Sequence, residues 1–374
     1  MAPIATPIVE PLPISPPFEE WPEKITGPTV WDAKFMQAHP EEWIHHLTPA
    51  EIEDIDQALR SFESTGIPLD KISPESFPLP VLGPYLAKNY ETLVAGRGFS
   101  VIRGVPIERY SREEAVKIFM GIMSHNGPFV TQNAWGHILG HVKDHGNDAS
   151  NPNVRLYTTN ALNDYHTDSC DIVSLFCWRT AVSGGGSFLA STHAIYNDLQ
   201  KNDPAALREL CRSDIYWDRK VDVPEGKKAY YQSPVFNNYK GRILGIFDRD
   251  YMINVARHAE VPTLSDERIR AYDAVIEAAK RNSIQMQLQR GDIQFVHNHQ
   301  NLHARSGYVD SKTDPNFQRH LFRLWVSTGG RSGWPLPAPF GNRFAGDLSG
   351  KGKRGGLHPN IKETVVLDSV DVMH

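Results

Sequence analysis

The spacing of apolar positions predicts helices toward the beginning of the chain and short strands beyond them. Thr48-Pro49-Ala50-Glu51 carries a capping hydroxyl, a proline in the first turn and a glutamate placed to reach back, which marks a helix start. Ile52, Ile55, Leu59 and Phe62 then recur at helical spacing and predict one buried stripe. Ser111-Arg112-Glu113-Glu114 repeats the capping pattern ahead of Ala115, Ile118, Phe119, Ile122 and Met123. A third helix is predicted behind Ser265, opened by Asp266 and Glu267, with Ile269, Tyr272 and Ile276 on one side. Strand signals differ in period. Residues 98–102 are a short apolar run stopped by Gly104 and Pro106. Ile284, Met286 and Leu288 alternate with glutamines, Arg290-Gly291-Asp292 turns the chain, and 293–297 and 320–326 read as further strands. With no internal repeat at solenoid or propeller periods, the pattern predicts an α+β protein with a largely antiparallel sheet and a helical insertion.

Composition narrows this to a globular enzyme acting on something small. A chain of 374 residues is long enough to bury a substantial core. Residues 1–30 are rich in proline and predict an extended arm, 31–340 a single catalytic domain, and 341–374 an irregular tail. The arm either lies free or crosses the body or a neighbouring subunit, and a homo-oligomer joined through it is the assembly it permits. Net charge is −5 without long runs of one sign, which excludes an electrostatic footprint for nucleic acid. No apolar stretch approaches the roughly 18 residues of a membrane span. Three cysteines, Cys170, Cys177 and Cys211, with no close pair, argue against a disulfide framework and for a reducing, cytoplasmic setting.

The strongest chemical signal is Tyr165-His166-Thr167-Asp168. In an extended chain, residues two apart share a face, so His166 and Asp168 present an imidazole and a carboxylate side by side. That pair is two thirds of a facial triad, which holds iron(II) and leaves positions open. The segment 297–305 (His-Asn-His-Gln-Asn-Leu-His-Ala-Arg) offers three histidines for the third place. Arg319 and Arg323 stand on one face of the strand-like run 319–326, about 13 Å apart at strand rise. If that face is buried, each guanidinium needs an anion, and a carboxylate fits its fork; otherwise they form a solvated basic edge.

Taken together, these motifs resemble the TauD/TfdA group of Fe(II)/2-oxoglutarate-dependent dioxygenases. The resemblance runs from about Gly98 to Trp325 through GFSVIRG at 98–104, HTD at 166–168, SGGGSFLAST at 183–192, NHQNLHAR at 298–305 and QRHLFRLW at 318–325. It implies a double-stranded β-helix (jelly-roll) core with flanking helices. It also implies an Fe(II) site, with 2-oxoglutarate and O2 as cosubstrates, and oxidation of an unactivated C–H bond (hydroxylation, desaturation or ring closure) with release of succinate and CO2. Carried across, His166, Asp168 and His303 are the metal ligands and catalytic centre, with His299 the competing third ligand. Arg319 pairs with the distal carboxylate of 2-oxoglutarate, and Ser187, where relatives usually have threonine, touches the same carboxylate. Arg323 meets the cosubstrate's metal-side carboxylate or an anion of the primary substrate. Asn163, Tyr165, Trp135, Arg323 and Arg305 are the substrate-binding candidates. The expected substrate is a small carboxylate or amino acid of secondary metabolism.

Other readings stay open at this point. A zinc hydrolase on the same His-Asp-His set would need a general-base glutamate that these motifs do not supply. A catalytically silent jelly-roll binding protein would keep the fold without turnover. His137, His141 and His145 would share a helix face, but two glycines weaken that helix and no HExxH glutamate is present. Gly184-Gly185-Gly186 lacks the Lys-Ser/Thr of a phosphate loop and reads as a tight turn beside the cosubstrate. Cys170 reads as a small buried residue.

Overall fold

The computed structural model describes residues 15–133, 135–221, 223, 226–328, 334, 336 and 364–368. Two sheets face each other without closing into a barrel. The larger has seven strands and runs Ile44–His46, Phe99–Arg103, Ile293–His297, Ile172–Arg179, His320–Val326 and Phe129–Val130, with Gly140–Lys143 also pairing onto His320–Val326. Only its first pair, Ile44–His46 with Phe99–Arg103, is parallel. The smaller is Ser283–Met286, Ser187–Ser191, Asn301–Arg305 and Asn163–His166, all antiparallel.

Strand alternation sorts the side chains into layers. Along His320–Val326, Phe322, Leu324 and Val326 face a helical layer that includes Leu59, Phe62, Leu93, Phe119 and Ile122. Leu321 and Trp325 face the other way, into the space between the sheets, where they meet Val173, Val296, Leu189 and Ile284. Arg323 shares their parity and is also buried. The strand is therefore covered on both faces, and the solvated-edge reading of its arginines does not hold. The outer face of the smaller sheet, through Tyr165, Ala190, Leu302 and Ala304, packs on a second helical layer.

The predicted helices form where expected. Pro49–Thr65 and Arg112–Ser124 both open with complete capping boxes, in which the hydroxyl accepts from the N3 backbone N–H and the glutamate accepts from the cap's own N–H. Asp266–Arg281 follows its Ser265 cap. Gly83–Ala95, Thr192–Asn202 and Pro204–Leu210 add helices that the sequence pattern did not single out. The part of the arm that is described lies across the body. Trp21 is buried on Tyr196, the Tyr196 hydroxyl donates to the Pro22 carbonyl, and Asn197 bonds both backbone groups of Ile25. Residues 1–14 and most of the predicted tail lie outside the described residues. Within 364–368, Val365 and Leu367 pack on the first helical layer, and Thr364 bridges to His137. No described helix is long and apolar enough to cross a membrane.

Candidate active site

His166 ends the Asn163–His166 strand and is the register partner of His303 on Asn301–Arg305. Their ring centroids are 4.2 Å apart. Asp168 lies two residues on, with Oδ2 3.8 Å from His303 Nε2. One potential ligand atom from each of the three falls within 4.8 Å of the others, the only such group among the described residues. His166 Nδ1 donates to the Asp164 carbonyl at 2.8 Å, which fixes the tautomer and leaves Nε2 as the ligand atom. Two imidazoles and one carboxylate beside two cavities suit Fe(II) with open positions. His299 is held elsewhere: its Nε2 pairs with Asp171 Oδ1 at 2.9 Å. Of the two competing histidines, His303 is the one brought to His166 and Asp168.

Asp168 is fixed from several sides. Its backbone N–H donates to Asn298 Oδ1 at 3.0 Å, and Trp325 Nε1 donates to its Oδ2 at 3.1 Å. Arg323 Nη1 lies 3.3 Å from Oδ1, while Arg323 Nε donates to Gln132 Oε1 at 2.7 Å. Burial by itself would raise the Asp168 pKa, but Arg323, His303 and His166 outweigh it and hold the carboxyl down at about 2. Asp168 is thus ionised at neutral pH, as a metal ligand must be. Arg323 is sandwiched between Tyr157 and Trp325, 4.4 and 5.0 Å from their ring centres. Orienting Asp168 is a part for Arg323 that its motif did not announce.

Two cavities meet at this cluster. The inner one, between the sheets, is lined by Ser187, Gln294, His303, Arg305, Arg319 and Arg323 among others. The outer one opens past Arg155, Tyr157, Trp217, Arg219, Tyr231, Asp248 and Tyr251. Asn163, His166, Asp168, Tyr157 and Arg323 line both. In the inner cavity Arg319 is 5% exposed, and its Nη1 has no hydrogen-bond partner among the described residues. Burial pushes its pKa down, and the neighbouring Tyr308, Cys177 and Asp310 offset that only in part. A buried guanidinium nitrogen left open in a cavity fits an anionic cosubstrate. The turn at Gly184–Gly186 stands beside it: a Cβ on Gly185, whose φ is +69°, would come within 2.9 Å of Arg319 Nε. That close approach explains the glycine.

Three expected substrate residues sit elsewhere. Tyr165 has the opposite strand parity to His166; it is buried in the outer helical layer and bonds Ser283 Oγ at 2.8 Å. Trp135 is 46% exposed and lines neither cavity. Arg305 lines the inner cavity, not the outer. Most of the outer wall was missed, because Trp217, Arg219, Tyr231, Asp248 and Tyr251 come from short strands, turns and a short helix between 216 and 254 and carry no spaced motif. The His137/His141/His145 set forms no helix. Gly140–Lys143 is a strand, and His141 Nδ1 pairs with His320 Nε2 at 2.9 Å.

Comparisons with known proteins give a family and a fold. A family model described as "Taurine catabolism dioxygenase TauD, TfdA family" matches residues 63–325. "Taurine hydroxylase-like protein SAT17" of Stachybotrys chartarum is 31% identical over 314 residues, covering 79% of this chain and 78% of the relative. "FR-33289 synthase" of Streptomyces rubellomurinus is 28% identical over 309 residues, covering 81% and 90%. Among solved structures, asparagine oxygenase in complex with Fe(II), 2S,3S-3-hydroxyasparagine and succinate aligns with a TM-score of 0.60 at 13% identity, covering 78% of this chain and 98% of that one. The non-heme iron oxygenase OrfP in complex with Fe and alpha-ketoglutaric acid gives 0.56 at 17% identity, covering 77% and 95%. At these identities the structural likeness speaks for the jelly-roll fold.

Proposed function

The chain belongs to the TauD/TfdA family of Fe(II)/2-oxoglutarate-dependent oxygenases, and from that premise we propose that it oxidises an unactivated C–H bond of a small amino-acid or carboxylate substrate by hydroxylation, desaturation or ring closure. One observation carries this reading. The His166, Asp168 and His303 cluster stands where two cavities meet, with an unpartnered arginine nitrogen in the inner one.

His166, Asp168 and His303 hold the iron. Arg319 and Ser187 receive the distal carboxylate of 2-oxoglutarate in the inner cavity. Iron and the oxo acid together supply the oxidising power for C–H cleavage, with succinate and CO2 as coproducts. The protein's own work is positional. Asp164 fixes the His166 tautomer, and Arg323 and Trp325 hold Asp168 ionised and aimed. The primary substrate takes the outer cavity. Its wall offers cations at Arg155 and Arg323 and an acid at Asp248, among the aromatic rings of Tyr157, Trp217 and Tyr251. An α-amino acid suits this wall, with its carboxylate toward the arginines and its ammonium toward Asp248. The amino-acid ligands in the printed descriptions of the solved relatives support the same class.

The test is a substrate screen. The protein with Fe(II), 2-oxoglutarate and O2 is given a panel of amino acids and simple carboxylates, and succinate is measured. The proposal expects one amino acid to raise succinate release and to yield a mass-shifted product. Stimulation only by compounds lacking an anionic group would contradict it.

A further inference from the structure

The inner cavity holds one more guanidinium than a single carboxylate clamp needs. Arg305 follows His303 by two residues on the same strand, so both side chains point between the sheets. Its register partner on the neighbouring strand is Ser187. Arg319 enters from the facing sheet's side. Both guanidinium groups lie against the Tyr308 ring, with their central carbons 4.8 Å (Arg305) and 5.2 Å (Arg319) from its centre. Both arginines are buried, at 6% and 5% exposure.

Their hydrogen bonding is incomplete. Arg305 Nη2 donates to the Ala161 carbonyl. Arg305 Nε, Arg319 Nη1 and the Tyr308 hydroxyl have no hydrogen-bond partner among the described residues. Asp310, whose charge reaches both arginines, accepts from the backbone N–H of Arg319. Two buried, mutually repelling cations are costly unless an anion joins them.

We propose that Arg305 is a second cosubstrate-recognition residue, which joins Arg319 and Ser187 around the distal carboxylate of the 2-oxo acid and makes the cavity selective for a dicarboxylate. This rests on the iron/2-oxoglutarate reading above and gives Arg305 a place in the inner cavity rather than at the primary substrate. The alternative is a purely structural arginine that ties down the Ala161 carbonyl ahead of the His166 strand.

The experiment measures binding without turnover. The Fe(II)-loaded protein is titrated anaerobically with 2-oxoglutarate and with 2-oxopentanoate, which lacks the distal carboxylate, following the visible band of the chelated oxo acid. Wild type, Arg305→Gln and Arg305→Lys are compared. The proposal expects Arg305→Gln to cut the preference for 2-oxoglutarate over 2-oxopentanoate by about tenfold or more, mainly through weaker 2-oxoglutarate binding, with Arg305→Lys intermediate. An unchanged preference overturns it, whether both affinities stay put or both fall together. If Arg305→Gln does not fold, the Arg305→Lys preference decides alone: a value equal to wild type overturns the proposal. Absence of a band in iron-loaded wild type with either acid would instead bring down the reading on which it rests.

Discussion

The inner cavity is walled by strands of both sheets, and its groups sit at alternate positions: His303 and Arg305 on one strand, Ser187 across from Arg305, and Arg323 on the facing sheet. The outer cavity is closed by the 155–157 turn and by short strands and turns between 216 and 251. His166 and Asp168 line both. A strand buried on two faces leaves its side chains one direction each, so the groups of the inner cavity are fixed by the core itself. Groups of the outer wall are set by contacts within their own short segment, such as Trp217 stacked on Tyr231 across a two-stranded ladder and Lys220 paired with Asp250. The difference separates a chemistry common to a family from a substrate choice that is free to vary.

The sharpest way to break this division is at the shared wall. Asp168→Ala or His166→Ala removes a proposed ligand itself, so iron-dependent succinate release should fall by more than about 100-fold, the upper range for losing even an outer partner of a ligand. Metal analysis of the purified variants checks that iron retention falls with it. Next in size is Arg319→Gln, which acts on the inner cavity alone. The 2-oxoglutarate Kd should rise about 10- to 100-fold, read anaerobically by calorimetry, while iron content stays at the wild-type level. Trp217→Ala reverses the pattern. It should leave the 2-oxoglutarate Kd unchanged and raise KM for the primary substrate about tenfold by removing apolar contact area. A variant of either kind that moved both constants equally would dissolve the distinction between the cavities.

The smallest effect comes from outside both. His297 is fully buried, and desolvation pushes its pKa down to about 3. Burial also lowers His141 and His320, which share one hydrogen bond. In each case the folded pKa lies below the unfolded value of about 6.5, so the unfolded chain takes up the proton first as pH falls. Stability is therefore full above about pH 6.5 and declines as pH drops toward the folded pKa values. Urea unfolding at pH 7, 6 and 5 should show this. His320→Gln should flatten the slope by up to about 1.4 kcal/mol per pH unit, one proton's worth.

How much could be read in advance follows the same boundary. His166, Asp168, Arg319 and Arg323 were legible because strand parity turns sequence spacing into a shared face. The capping boxes at Thr48 and Ser111 were legible because they are local. Parity alone did not choose between His299 and His303: the former lies in the turn before the strand, where Asp171 claims it. Tyr165 was misplaced because adjacency to a ligand suggests the pocket, whereas one step along a strand points the other way. For Arg305, nothing in the motif tells which of the two cavities it lines, and the structure places it in the inner one. Asp248 and Trp217 had no signal, since their position depends on how several short strands and turns fold back over the site. Gly83–Ala95 passed unnoticed because its buried positions, Leu86, Tyr90, Leu93 and Val94, are preceded by Gly83-Pro84 rather than by a capping side chain.

The central claim is that His166, Asp168 and His303 hold an iron that chelates a 2-oxo acid. Its most direct test needs no substrate. Apoprotein is mixed anaerobically with Fe(II) and then 2-oxoglutarate, and the visible spectrum is recorded beside His166→Ala. The account predicts a weak charge-transfer band that requires iron, 2-oxoglutarate and His166 together. A folded, iron-binding wild type with no band, or a band that persists in His166→Ala, would contradict it.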